Sequence, residues 1–201
     1  MSAFADPSGS FIPPRLQQIV SDELRADERT IWQSQPMAGL YARRSWPIVL
    51  FGIPWTAFAV FWVCGAAGFK MPTFSSGPDL FPLFGVPFVL IGLGMLSTPL
   101  WMRRAAKRTV YVITDQRAII IGGAFALEVE SFAPERLTDI RRKQRRDGSG
   151  DLIFRTEVAH RRDGRTHESH VGFIAIPDVK GVEFLIRELA ARDEKASAFS
   201  E

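Results

Sequence analysis

The chain reads as an α+β membrane protein: a two-helix transmembrane hairpin, then a small bent barrel or sandwich of about six or seven antiparallel strands, capped by a C-terminal helix. Three observations predict this. Two long stretches carry no charged side chain, Trp46–Phe69 and Leu80–Met102. From Thr109 onward the pattern changes to short β-branched and alternating runs separated by turn residues. After Asp178 the apolar period becomes helical again.

Averages conceal this division. The 201 residues are 46% apolar and 23% charged, with a net charge of +3, values ordinary for a soluble protein. Yet the apolar and charged residues are segregated along the chain, which excludes both a single soluble globule and intrinsic disorder. A bilayer core of about 30 Å needs roughly 20 apolar helical residues, and both charge-free stretches are long enough. Buried core helices seldom run so far without a charge. Pro54, Pro87 and Pro99 are tolerated in a lipid-embedded helix. The first stretch starts too far from the N-terminus for a cleaved signal peptide. Lys70–Asp79, with Pro72, Gly77 and Pro78, is a short link that makes the pair a hairpin.

Charge orients the hairpin. Arg43 and Arg44 precede the first span, Arg103, Arg104, Lys107 and Arg108 follow the second, and the link holds only Lys70 as a cation. The positive-inside rule then places both termini in the cytosol, with Trp46 and Trp101 at the cytosolic interface. Cys64 has no partner in the chain, so no disulfide or cysteine zinc site can form, and a buried apolar role is expected for it. The resulting organisation is a cytosolic N-terminal segment 1–45, spans 46–69 and 80–102 around an external loop 70–79, a cytosolic domain 103–195 and a tail 196–201.

Within the cytosolic parts, Met1 to Pro14 lack periodicity and read as a mobile end. Leu16, Ile19, Val20 and Leu24 share one face of a short helix, roughly Pro14 to Asp27, expected to pack on the rest of the protein. Thr30–Trp32 is a short strand. Val110–Ile113 and Ala118–Ile121 form a hairpin across Thr114–Arg117. Leu127–Phe132 alternates as a half-buried strand. Leu137 and Ile140 open a strand that becomes basic, Gly148–Gly150 is a tight turn, and strands follow at Asp151–Glu157 and about Glu168–Ile176, joined by a polar turn at Arg161–Arg165. Asp178 caps a helix whose Val179, Val182, Ile186 and Leu189 lie on one face.

These pieces carry a resemblance. Asp27-Glu28-Arg29-Thr30-Ile31-Trp32, Arg108 through Arg117 with its Tyr-x-x-Thr-Asp-Gln-Arg core, Pro134 with Leu137 and Ile140, Gly150–Phe154, and Phe173–Asp178 together span most of Glu28–Ala191. The chain resembles bacterial membrane proteins that carry a pleckstrin-homology-like (PH-like) domain behind a transmembrane hairpin, departing at Asp27, where the group more often has glycine. The resemblance implies a seven-stranded, strongly bent β-fold with a C-terminal helix. It implies binding more than catalysis, and the phosphoinositide motif of eukaryotic relatives does not map onto these residues.

The most visible candidate site is Arg141-Arg142-Lys143-Gln144-Arg145-Arg146; from Arg136 to Arg165 there are ten Lys or Arg against five acids. A basic hairpin near a membrane attracts anionic headgroups at about 1 kcal/mol per cation. Arg141, Arg142, Arg145 and Arg146 are therefore the candidate contacts for anionic phospholipid or an acidic partner, although strand alternation prevents all of them from converging. The plainer account is a solvated hairpin with cross-strand pairs such as Arg145 or Arg146 with Asp151. Nucleic acid is disfavoured, since Tyr111 is the only Tyr or Trp after Trp101. A membrane-protein partner or a homo-oligomer is the other class of ligand, the chain then serving as an assembly subunit.

No enzyme is expected. His160, His167 and His170 read as surface residues, because His167 and His170 fall on opposite strand faces. Asp115 is explained by turn hydrogen bonds to its own backbone, and Arg117 by pairing with a carboxylate inside the domain or gripping the membrane-proximal linker. Gly148–Gly150 is too short to cradle a phosphate, and no cofactor fingerprint or nucleophile elbow occurs. Neither span holds an ionisable residue that would mark a transport path.

Overall fold

The computed structural model describes residues 12–69, 77–123, 126–137, 140–160 and 166–198. The turn expected at Arg161–Arg165, the start of the hairpin link and the first eleven residues lie outside them. The chain divides into two units: residues up to Tyr41 together with those from Ala105 onward, and Ala42–Arg104.

The first unit holds every strand. Helix α1 (Pro14–Glu23) leads to β1 (Thr30–Ser34) and a short α2 (Ala38–Ala42); β2 (Val110–Thr114), β3 (Ala118–Gly122), β4 (Glu128–Phe132), β5 (Arg141–Gln144), β6 (Gly150–His160), β7 (Thr166–Ile176) and α5 (Val179–Ala198) complete it. The strands form two antiparallel sheets, ordered β1-β2-β3-β4 and β5-β6-β7. The seventh strand is supplied by the leader: Gln33 pairs with Val112 and Ser34 with Tyr111.

Two cores explain the long apolar runs of β2 and β3. Tyr111, Ile113 and Ala118 point into a core shared with Leu152, Phe154, Phe173, Ile176 and the inner face of α5. Val110, Val112, Ile119 and Ile121 point the other way, against Val20, Leu16, Ile19 and Leu24 of α1 and its flank. A sheet covered on both faces needs apolar residues at successive positions rather than alternate ones. Phe173 anchors the main core, with its ring centroid 4.7 Å from Tyr111, 4.8 Å from Phe154 and 5.8 Å from Trp32. Val179, Val182, Ile186 and Leu189 are all buried, and Asp178 caps α5 by accepting the Gly181 N–H at 3.0 Å.

Several expectations are corrected. No barrel closes: β4 and β5 belong to different sheets. Between them a one-turn 3-10 helix, Pro134–Arg136, turns the chain, and Leu137 drops into the core instead of opening a strand, so β5 begins only at Arg141. Proline has no N–H for a sheet ladder, which suits it to this break. Helix α1 ends at Glu23, four residues early, where Leu24 turns extended. The N-terminal end is tied down from Ile12, which is 2% exposed against the second core. Helix α5 runs on to Ala198, into the expected tail.

The second unit contains α3 (Trp46–Ala66) and α4 (Val86–Ala106, whose last two residues belong to the first unit). A 3-10 helix, Gly77–Gly85, replaces the first turns expected of the second apolar helix, with Pro82 inside it and Pro87 at the junction. Two continuous helical stretches, Ala38–Ala66 and Phe81–Ala106, are long and apolar enough to cross a membrane, and only 11% of each apolar window is buried within the chain. Small residues bring α3 and α4 together: a Cβ on Gly52 would lie 2.9 Å from the Met95 Cβ, and one on Gly92 would overlap Thr56. Gly52, Thr56, Ala59 and Val63 follow one helical stripe. Cys64 lies off that stripe and is exposed, contrary to the expectation of burial.

Candidate binding site

The Tyr-x-x-Thr-Asp-Gln-Arg segment forms the β2–β3 turn and clasps the leader. The Thr114 hydroxyl accepts the N–H groups of Gln116 and Arg117 at 3.2 and 2.9 Å and donates to Glu28 Oε1 at 2.7 Å. Asp115 was expected to bond its own backbone; instead its Oδ1 accepts the Arg29 N–H at 2.9 Å, while its N–H donates to the Arg29 carbonyl at 3.0 Å. Arg117 grips Glu28 with two parallel bonds, Nε to Oε1 at 2.9 Å and Nη2 to Oε2 at 3.0 Å. The same guanidinium donates to the Glu23 carbonyl and to Ser131 Oγ, each at 3.0 Å. Of the two roles open to Arg117, it takes the first: its carboxylate comes from the leader.

Glu28 is the most perturbed group described. Burial pushes its pKa up, but hydrogen bonds from Arg117, the Arg25 N–H and Thr114, with the charge of Arg117, bring it down to about 2. A buried carboxylate with every partner in place is a structural clamp, and it leaves no acceptor capacity for a proton-transfer role.

The basic strand has a different character. All of Arg141–Gln144 is exposed, as are Arg145 and Arg146 in the following turn. Register sorts the strand by face. Arg142 stands opposite Leu152, which points to the core and α5, and its Nη1 reaches Glu183 on α5. Arg141 and Lys143 stand opposite Ile153 and Asp151, on the other face. Arg145 donates its N–H to the Ser149 carbonyl at 2.8 Å, and Asp147 Oδ1 accepts the Ser149 N–H and hydroxyl. Asp151, considered as a partner for Arg145 or Arg146, is buried, and its Oδ1 accepts the Ala175 N–H at 2.8 Å. Thus Arg142 is drawn toward α5, while Arg141 stands on the opposite face of the strand and the two turn arginines are exposed.

As the outermost strand of its sheet, β5 pairs only with β6. Cations on an exposed edge strand discourage edge-to-edge association, so charge here has a structural use as well as a binding one. Among the histidines only the side chain of His170 is described; it borders a shallow cleft of about 230 Å³ with Tyr41, Glu128 and Glu130. Among the described residues no three potential metal ligands cluster.

A larger groove, about 480 Å³, escaped the sequence reading. It lies between the first turns of α1 and the end of the sheet where β2 begins and β3 ends, and Arg15, Lys107, Arg108, Leu16, Ile19 and Leu127 border it. No short motif announces it. Its cations come from segments about ninety residues apart, and only the docking of α1 on the sheet assembles them. The only sequence signals for it are Lys107-Arg108 and the apolar face of α1.

No curated protein and no solved structure matched the chain. The family described as the bacterial PH domain matches residues 48–190, from the first apolar helix to the last turns of the packed part of α5. The match covers the β2–β3 turn and the segment leading into the capped helix, though not the leader, and the chain belongs to the bacterial PH domain family.

Proposed function

We propose that this protein is a membrane-anchored, non-catalytic binding module: its apolar hairpin crosses the bacterial cytoplasmic membrane with both termini in the cytosol, and its PH-like domain engages anionic lipid headgroups. The anchoring rests on two helices that expose apolar side chains around most of their circumference, including Leu50, Phe51, Phe58, Phe61, Leu90 and Leu93. A soluble protein would bury such surface, and a membrane does so at no cost in hydrogen bonds. Cations at 43, 44, 103 and 104 lie in sequence at the helix ends that lead to the PH-like domain.

One observation carries the lipid reading: Arg141, Arg145 and Arg146 are exposed at a sheet edge, with Lys143 beside them, in a stretch with no apolar side chain. Such a patch gains about 1 kcal/mol per cation at an anionic surface and loses it with salt. The test uses the full chain with Cys64→Ser and Gln144→Cys, labelled with an environment-sensitive fluorophore, in nanodiscs of neutral or anionic lipid. A spectral shift confined to anionic discs, reversed by salt and lost in Arg141→Glu/Arg145→Glu, supports the reading. An identical spectrum in both lipids sinks it and turns attention to an assembly role, in which a membrane-protein partner or a second copy covers the hairpin.

A further inference from the structure

The groove beside α1 differs from the basic strand in being concave and two-natured. Leu16 and Ile19 of α1, Leu127 of the β3–β4 connection, and the cations Arg15, Lys107 and Arg108 all line it. No carboxylate borders it among the described residues. The side chains of Arg15 and Lys107 are exposed and form no ion pair among the described residues. Leu127, 58% exposed, and the half-buried Leu16 and Ile19 leave apolar surface uncovered next to these cations. Charge without apolar surface suits a free anion, and apolar surface without charge suits a helix or strand. The two together suit an amphiphile with an anionic head.

Position narrows the choice. Lys107 is the first residue after α4, so one rim of the groove is fixed by the chain within a residue of the end of an apolar helix. Gly122 and Gly123 border the groove without side chains, and Gly123 holds a φ of +129° where a Cβ would strike the Ala126 carbonyl.

We infer that this groove is a site for one anionic phospholipid drawn from the bilayer, its phosphate held by Arg15, Lys107 and Arg108 and its glycerol and upper acyl carbons lying on Leu16, Ile19 and Leu127. The inference rests on the membrane anchoring proposed above but is independent of the basic strand. The domain would then register the presence of anionic lipid by filling a site at the junction between α1 and the sheet.

The experiment uses the full chain, reconstituted in equal parts phosphatidylglycerol and phosphatidylcholine, transferred to mild detergent and examined by native mass spectrometry. The wild type is expected to retain phosphatidylglycerol in preference to phosphatidylcholine, at one molecule per chain. Arg15→Glu/Lys107→Glu should lower that retention roughly tenfold or more, since two cations near 1 kcal/mol each are reversed. Both positions are exposed, and an acid in the first turn of α1 favours the helix, so the variant's thermal melt should stay unchanged. Leu127→Asn should weaken retention without altering charge, whereas Arg141→Glu/Arg145→Glu should leave it intact. Retention that survives the double reversal, or falls equally in the strand variant, overturns the groove. Release of the wild-type chain from membranes by alkaline carbonate would instead overturn the anchoring on which it rests.

Discussion

Arg117 and Glu28, 89 residues apart in sequence, form a two-pronged ion pair in which the carboxylate side chain is fully buried and the guanidinium is 13% exposed. The pair joins the leader to the β2–β3 turn, two segments that the apolar hairpin separates in sequence. Its partners are complete: Thr114 and the Arg25 N–H serve the carboxylate, while the Glu23 carbonyl and Ser131 serve the guanidinium.

The pair predicts acid sensitivity. Glu28 titrates near 4.5 when unfolded and about 2 when folded, so its contribution is complete above the unfolded value and is lost as pH falls through the folded one. At most about 3 kcal/mol should disappear between these pH values. Glu28→Gln removes that dependence. Denaturant melts across the acid range check it, and an equal acid slope in the variant would contradict it.

Removing one partner is worse than removing a pair. Arg117→Ala leaves a buried, uncompensated carboxylate and should cost about 3–5 kcal/mol, while Arg117→Met/Glu28→Leu should recover much of the loss. Chemical denaturation of the three variants decides between them.

A smaller effect follows from Asp151, whose Oδ1 accepts the N–H of Ala175, a buried residue at φ +57° in β7. Asp151→Ala strands that amide and should cost about 1–3 kcal/mol. Asp151→Asn keeps an acceptor oxygen and should cost less. Hydrogen exchange at Ala175 reports the bond directly and should quicken in the alanine variant.

The main core turns on Phe173. Its ring meets Trp32 from the leader, Tyr111 from β2 and Phe154 from β6, so Phe173→Ala removes contacts to both sheets at once. A loss of about 3–5 kcal/mol is expected, whereas Phe184→Ala, on an exposed face of α5, should change stability little.

The domain's borders can be tested by excision. Residues 105–201 alone lack β1, expose the outer edge of β2 and leave Arg117 without Glu28. They should give poorly dispersed amide spectra. Joining residues 12–41 to 105–201 through a flexible linker should restore dispersion, since both cores are then complete.

The apolar hairpin, the strands around Val110–Ile121 and the capped C-terminal helix were legible because each depends on local periodicity. So was the family, since the Tyr-x-x-Thr-Asp-Gln-Arg turn is one contiguous string in the chain. The basic strand was legible too, although its sorting into Arg142 on one face and Arg141 on the other waited for register with β6. By itself the sequence determined which segments are apolar, which alternate, and where α1 and α5 begin. Tertiary structure alone decided that the leader supplies the seventh strand, that Arg117 belongs to Glu28, that the sheets stay unclosed, and that Arg15 and Lys107 border one groove. The physical reason is separation along the chain: partners about ninety residues apart carry no shared local period, and only burial of both faces of β2 and β3 brings them together.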